Sequence, residues 1–233
     1  HIGRAVDLIV DRMRHGGRLF YFGAGTSGRL GVLDASEMPP TFGVSTELVQ
    51  GYIAGGNGAL RRSAEGVEDD PEAGAACARQ AEVGPHDVVV GIAASGSTPW
   101  VLGALREAQA RGAAIVALTC APGSILAEMG DVAVAPMVGP EVIAGSSRMK
   151  AGTAQKMVLN MISTAAMIRL GKVYGNLMVD LRPTNAKLRR RAVRILQQGA
   201  GVDAERAHQV LNAAGGHVKN ALVMLLADVD ADE

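Results

Sequence analysis

Aromatic side chains are scarce: three Phe, three Tyr and one Trp make only 3% of the 233 residues. Base-stacking platforms and sugar-stacking grooves are built from such rings, so the composition argues against a single-stranded nucleic-acid binder or a lectin-type groove. Neither sign of charge is in excess, with 23 Lys and Arg against 23 Asp and Glu. A neutral chain lacks the basic field that attracts nucleic acid or an anionic membrane. The two cysteines, Cys77 and Cys120, form no CxxC pair and cannot supply a disulfide framework. Long apolar runs are missing too, because the uncharged stretch 88–105 is broken by Gly96, Ser97 and Pro99, and a membrane helix needs about 20 consecutive apolar residues. His15, His86, His208 and His217 are scattered, without HxxxH or HExxH spacing. No bound metal is expected, and with no GxSxG elbow a serine hydrolase is not expected either.

What the chain does have is apolar residues, 48% of the total, and glycine, 30 of 233, against a usual share of about 7%. The length suits one α/β domain with a small appendage. Apolar residues at helical spacing predict a helix over 4–15, stopped by Gly16 and Gly17. Continuous apolar runs at 18–22, 48–53, 87–92, 114–119 and 132–137 read as buried strands, with helical patterns between most of them. After the first strand the helix is expected to run to Glu37 and to end at Met38-Pro39-Pro40. Non-alternating strands joined by such crossovers predict a mainly parallel sheet with helices on both faces, a three-layer α-β-α sandwich. Residues 146–170 read as one long helix, apolar nearly all round, either central or at an interface. Arg182, Lys187, Arg189, Arg190, Arg191 and Arg194 follow without one acid. They read as a solvated helix face, or as a surface for an acidic partner or a second subunit. Residues 1–198 are expected to form the main domain, and 199–233 a small helical appendage packed on it or on another subunit.

In an open parallel sheet, ligands bind at the carboxyl ends of the strands. Two loops there are rich in glycine and hydroxyls and lead into helices: 23–28, with Thr26 and Ser27, and 94–98, with Ser95, Ser97 and Thr98. Helix N-termini attract anions, hydroxyls add donors, and glycine lets backbone approach closely, which together suit a phosphate. The plainer reading makes these hydroxyls ordinary helix caps. Gly23, Gly25 and Gly28 match the dinucleotide spacing formally, but Gln50, Gly51 and Tyr52 stand where a ribose-binding acid belongs, and Arg29 stands in place of a Walker lysine. A small phosphorylated ligand fits better than a nucleotide. Ser146, Ser147, Arg148 and Lys150 could meet a second anionic group, or be a cap with solvent-facing cations. Candidate acids are Glu37 and the cluster Glu65, Glu68, Asp69 and Asp70; composition does not choose within the cluster.

The segments GAGTSGRLGVLDASEMPPTFGV (23–44), EGVEDD (65–70), DVVVGIAASGSTP (87–99), GSSRMKAGTAQKMVLNMIST (145–164) and GKVYGNLMVDLRPTNAKL (171–188) resemble the N-acetylmuramic acid 6-phosphate etherases of the sugar isomerase (SIS) superfamily. The resemblance covers nearly the whole chain and implies further residues before His1 and after Glu233. It implies the SIS fold with a small C-terminal, UBA-like helical bundle. It also implies a cytoplasmic homodimeric lyase of cell-wall recycling with no cofactor, releasing D-lactate from the C3 ether by elimination and hydration. By that likeness Glu37 is the acid assisting lactate departure and Glu68 is the C2 base. Thr26, Ser27, Ser95, Ser97, Thr98, Ser146, Ser147 and Lys150 become the substrate and phosphate contacts. Ala93 departs from the wider superfamily, where many members carry Ser, and Ala144 stands where a hydroxyl is expected. Two other readings stay in view: a phosphosugar sensor like the glucokinase regulatory proteins, which needs no pair of glutamates, and a sugar-phosphate isomerase, which needs no acid at C3.

Overall fold

The computed structural model describes every residue except Arg182, Thr184 and 231–233. Arg182, read above as part of the basic stretch, therefore lies outside the described residues. The elements run α1 (Ile2–Arg14), β1 (Leu19–Gly23), α2 (Gly25–Phe42), β2 (Val49–Ile53), α3 (Gly56–Arg61), α4 (Pro71–Gln80), β3 (Val88–Ile92), α5 (Pro99–Ala110), β4 (Ala114–Leu118), α6 (Ile125–Met129), β5 (Val132–Val134), α7 (Lys150–Arg169), α8 (Ala186–Ala200), α9 (Ala204–Ala213) and α10 (Val218–Ala227). No single described helix is long and apolar enough to cross a membrane. The chain divides into two compact units, His1–Ser36 with Thr46–Ala166, and Glu37–Ser45 with Met167–Glu233.

In the first unit all five strands pair in parallel, in the order β2-β1-β3-β4-β5. Strand residues alternate between two covered faces. Phe20, Phe22, Val89, Ile115 and Ala117 pack with Ala78 of α4 and with Trp100 and Leu105 of α5. On the other face α2 lies so close that a Cβ on Gly31 would meet Tyr21 and Ile92. Small residues likewise set the α4–α5 contact: a Cβ on Gly74 would strike the Trp100 carbonyl, and one on Gly103 the Pro71 carbonyl. Burial on both faces explains the continuous apolar strands.

The amino-terminal edge of the sheet is held by one carboxylate. Asp87, 4% exposed, accepts from the Arg18 backbone N–H at 2.8 Å, from Arg18 Nε at 3.2 Å and Nη2 at 2.8 Å, and from the Gly84 N–H at 2.8 Å. The Arg18 guanidinium also lies 4.8 Å above the Phe20 ring. This ties the start of β1 to the start of β3.

In the second unit, Ala192, Val193, Ile195 and Leu196 of α8 share one apolar cluster with Ala207 and Leu211 of α9 and Ala221 and Leu222 of α10. That core takes in α8, so the compact unit begins before the expected boundary at 198/199. Two further differences have physical reasons. Helix α2 continues through Pro39 and Pro40 to Phe42, where the sequence suggested a stop. Met38 and Phe42, one turn apart, are both buried, and the Gly43 N–H closes the helix on the Pro39 carbonyl. Helix α4 was not foreseen. Asp70 caps it, accepting from the Ala73 N–H at 3.0 Å, and Pro71 occupies its first turn.

Asp87→Ala is expected to cost about 2 kcal/mol of stability, because it leaves the part-buried Arg18 and Gly84 donors without their acceptor. Chemical denaturation measures this, and phosphosugar binding by the folded fraction should be unchanged, since the pair lies at the edge opposite the strands' carboxyl ends.

Candidate phosphosugar site

A sheet ordered 2-1-3-4-5 reverses direction between β1 and β3, and the loops leaving these two strands diverge to open a crevice. A cavity of about 650 Å³ lies there, lined by Ala24–Ser27 after β1, by Ala93–Ser95 and Thr98 after β3, and by Glu68, Cys120, Glu141 and Ser147. That volume suits a small ligand.

The β1 loop is tight enough that only glycine fits. A Cβ on Gly23 would lie 2.6 Å from the Gly28 nitrogen, and one on Gly28 would lie 2.6 Å from the Gly23 carbonyl oxygen. In the β3 loop Gly96 has φ +68°, and a Cβ there would strike Ser124. Of the hydroxyls, Thr98 is the N-cap residue of α5 but makes no side-chain capping bond. Ser95 Oγ accepts from the Ser97 N–H at 3.3 Å and from its hydroxyl at 3.2 Å. Ser27 Oγ donates to Gln155 Oε1 of α7 at 2.8 Å. None of these three hydroxyls is taken up in capping its own helix.

Helix α7 forms the back of the β1 loop. Gly152 brings its backbone against Thr26, and Gln155 reaches Ser27. One turn further along, Asn160 Nδ2 and Ser163 Oγ donate to Asp34 Oδ1 at 2.6 and 3.0 Å, while the Tyr21 hydroxyl donates to Asp34 Oδ2 at 2.8 Å. Asp34 is 4% exposed, so this network joins β1, α2 and α7 inside the first unit. Burial, and then the neighbouring Asp34, raise the Tyr21 pKa well above its ordinary value.

Helix α7 begins at Lys150, later than the expected residue 146. The reason is Glu141, whose carboxylate accepts from the backbone N–H groups of Lys150 and Ala151 at 3.0 Å each. Those two bonds hold its pKa below the ordinary carboxylate range. The helix N-terminus expected to face a ligand anion is thus already capped by an internal one, and residues 145–149 form a loop.

Of the residues singled out from sequence, Thr26, Ser27, Ser95, Thr98, Ser147 and Glu68 line one cavity. Ser97, Ser146 and Lys150 do not line it: Ser97 donates to Ser95, Ser146 Oγ accepts from Arg148 Nε at 3.2 Å, and Lys150 is exposed. Within the acidic cluster Glu68 alone reaches this cavity. The Trp100 N–H, at the start of α5, donates to its backbone carbonyl at 3.0 Å. Glu37 is exposed on α2, in the second compact unit, and is not among the cavity residues. Ala93 and Ala144 both face the cavity without a hydroxyl. Sequence reasoning missed Glu141, Gln155 and Cys120. Only Gln155 left a signal, as a polar residue within the stretch 146–170 that reads as apolar nearly all round. Among the described residues no three His, Cys, Asp or Glu side chains come together as metal ligands.

Fold and cavity together define a SIS-domain protein, and residues 66–165 match the SIS domain profile. Residues 1–109 match the N-terminal SIS domain of glucokinase regulatory protein, and 175–223 match the C-terminal lid domain of the same protein. A solved phosphoheptose isomerase from Francisella tularensis shares the fold, with a TM-score of 0.53 at 20% identity over 72% of this chain and 85% of that one. Relatives over the full length are more specific. An N-acetylmuramic acid 6-phosphate etherase of Symbiobacterium thermophilum is 64% identical over 98% of this chain and 76% of its own length. One of Aeromonas hydrophila is 55% identical over 100% of this chain and 78% of its own. The chain belongs to the N-acetylmuramic acid 6-phosphate etherase family, whose members are carbon–oxygen lyases.

The capping role of Glu141 has a pH signature. A carboxylate whose folded pKa is depressed stabilises above its unfolded pKa, and that stability is lost as pH falls through the folded value. Glu141→Ala is therefore expected to lower the melting temperature at neutral pH, with the gap from wild type closing in acid. A gap of constant size down to about pH 3 would contradict the capping role.

Proposed function

We propose that this chain cleaves the D-lactyl ether at C3 of N-acetylmuramic acid 6-phosphate, giving N-acetylglucosamine 6-phosphate and D-lactate, as a cytoplasmic homodimer in cell-wall recycling. The observation that carries the reading is the switch-point cavity, which three hydroxyls free of capping duty line together with Glu68, in a chain 64% identical to a relative of that name.

The 6-phosphate lies against the two loops, with backbone N–H groups and the hydroxyls of Thr26, Ser27, Ser95, Thr98 and Ser147 as donors. Ring opening exposes the C1 aldehyde, which acidifies the C2 proton. Glu68 takes that proton, and the C2 electron pair forms the C2–C3 double bond as the C3–oxygen bond breaks. By its match to the family motif, Glu37 is the acid assigned to protonate the departing lactate oxygen, although it does not line the cavity. Water then adds at C3 of the unsaturated aldehyde, the proton returns to C2, and the ring closes. The aldehyde is the electron sink, so the chemistry needs one base and one acid. For the homodimer, Met157 and Met161 stand one turn apart on α7, 46% and 44% exposed, and offer an apolar stripe to a second copy.

A second reading, a non-catalytic phosphosugar regulator, draws on the two profile matches to glucokinase regulatory protein. Lactate release from N-acetylmuramic acid 6-phosphate in deuterated water decides between them. The etherase reading expects lactate, with deuterium at C2 of the sugar product. Glu68→Gln should lower kcat by about 10²–10⁴-fold. Glu37→Gln should slow lactate departure but recover on a C3 ether with a more acidic leaving group. Saturable phosphosugar binding without lactate would establish the regulator instead.

A further inference from the structure

We propose that Gln155 is the positioning residue that turns Ser27 into a hydrogen-bond donor toward the ligand phosphate, by presenting its amide nitrogen to the Ser27 oxygen. The proposal rests on the phosphate reading of the cavity.

Gln155 is 1% exposed, in the second turn of α7. Its Oε1 receives the Ser27 hydroxyl at 2.8 Å, while its Nε2 is buried and has no partner among the described residues. A serine hydroxyl has one proton. In this arrangement that proton is directed at Gln155, and Ser27 turns only lone pairs toward the cavity it lines. A phosphate dianion needs donors and is repelled by lone pairs. The orphaned Nε2 is the second half of the observation. Buried N–H donors without partners are rarer than under-satisfied carbonyl oxygens.

One half-turn of the amide resolves both. The two ends of a glutamine amide have nearly the same shape, so Nε2 takes the place of Oε1 and donates to Ser27 Oγ. The serine proton is then free for a phosphate oxygen, and the relay runs from Gln155 Nε2 to Ser27 to the ligand. Without a ligand, the arrangement seen here keeps Ser27 satisfied. Gln155 thus acts through Ser27 and touches no reacting atom.

The test measures binding of N-acetylglucosamine 6-phosphate and of inorganic phosphate by calorimetry. The proteins are the full chain, Ser27→Ala, Gln155→Met, Gln155→Glu and the double variant Ser27→Ala/Gln155→Met. Gln155→Glu offers only acceptors, so it fixes the Ser27 proton inward and should weaken both ligands by about 10-fold or more. Gln155→Met should weaken binding in the wild-type background and have no further effect once Ser27 is Ala, with KM raised and kcat little changed. Equal losses from Gln155→Met in both backgrounds, or wild-type affinity in Gln155→Glu, would overturn the relay. A wild-type chain that is folded yet binds neither probe would overturn the phosphate reading itself. Should the variants not fold, the wild type decides. Its Gln155 side-chain amide signals, assigned by triple-resonance NMR, should shift and gain exchange protection when N-acetylglucosamine 6-phosphate is added, and unchanged signals would sink the proposal.

Discussion

The carboxylate of Asp34 holds the binding end of the first unit together. It sits in the interior with no cation beside it among the described residues and is satisfied by three neutral donors on two other elements, Tyr21 of β1 and Asn160 and Ser163 of α7. A buried polar group is tolerated only when its partners are in place, so α2 and α7 cannot part without leaving it exposed to an apolar core. Everything the cavity needs from α7 follows from that clamp. Gly152 closes on Thr26, Gln155 reaches Ser27, and the first turn of α7 stands where Glu141 can cap it. The same clamp fixes α2, whose first turn carries the β1 loop.

Much of this was legible in the sequence because the sheet is buried on both faces. The strand at 114–118 could be read from an unbroken Ala, Ile, Val and Leu run, the one at 88–92 from an apolar run broken only by Gly91, and the two ligand loops from the glycines and hydroxyls that follow the strands at 19–23 and 88–92. The β1 loop needed glycine for a steric reason that spacing alone conveys: Gly23 and Gly28 back onto each other. What could not be read were effects of partners distant in sequence. The prolines at 39 and 40 argue locally for a helix stop, yet burial of Met38 and Phe42 carries α2 past them. Ser146 and Ser147 look like a helix cap, yet the cap comes from Glu141. Asp70 looked like one acid of a catalytic cluster, while its oxygen is occupied at the start of α4.

The site divides its labour by residue type. Backbone and hydroxyls at the switch point are neutral and suit a dianion without presenting a competing cation. The acids stand apart from them: Glu68 on the cavity wall, anchored through its own carbonyl by the Trp100 N–H, and Glu141 tied to the α7 N-terminus. Such a layout offers donors to a phosphate and keeps Glu68 on the cavity wall. Glu37 and Glu68, the two glutamates of the proposed mechanism, lie outside the two loops. Fold likeness to phosphoheptose isomerases therefore says little about the reaction.

A crystal structure of this chain with N-acetylglucosamine 6-phosphate tests the central claim most directly. The account requires the phosphate at the switch point between β1 and β3, within hydrogen-bond distance of the Ser95 and Thr98 hydroxyls and the backbone N–H groups of 25–27, with C2 of the sugar facing Glu68. A phosphate lodged elsewhere, such as the second unit's pocket beside Arg189 and His217, with the switch-point cavity unchanged, would contradict it.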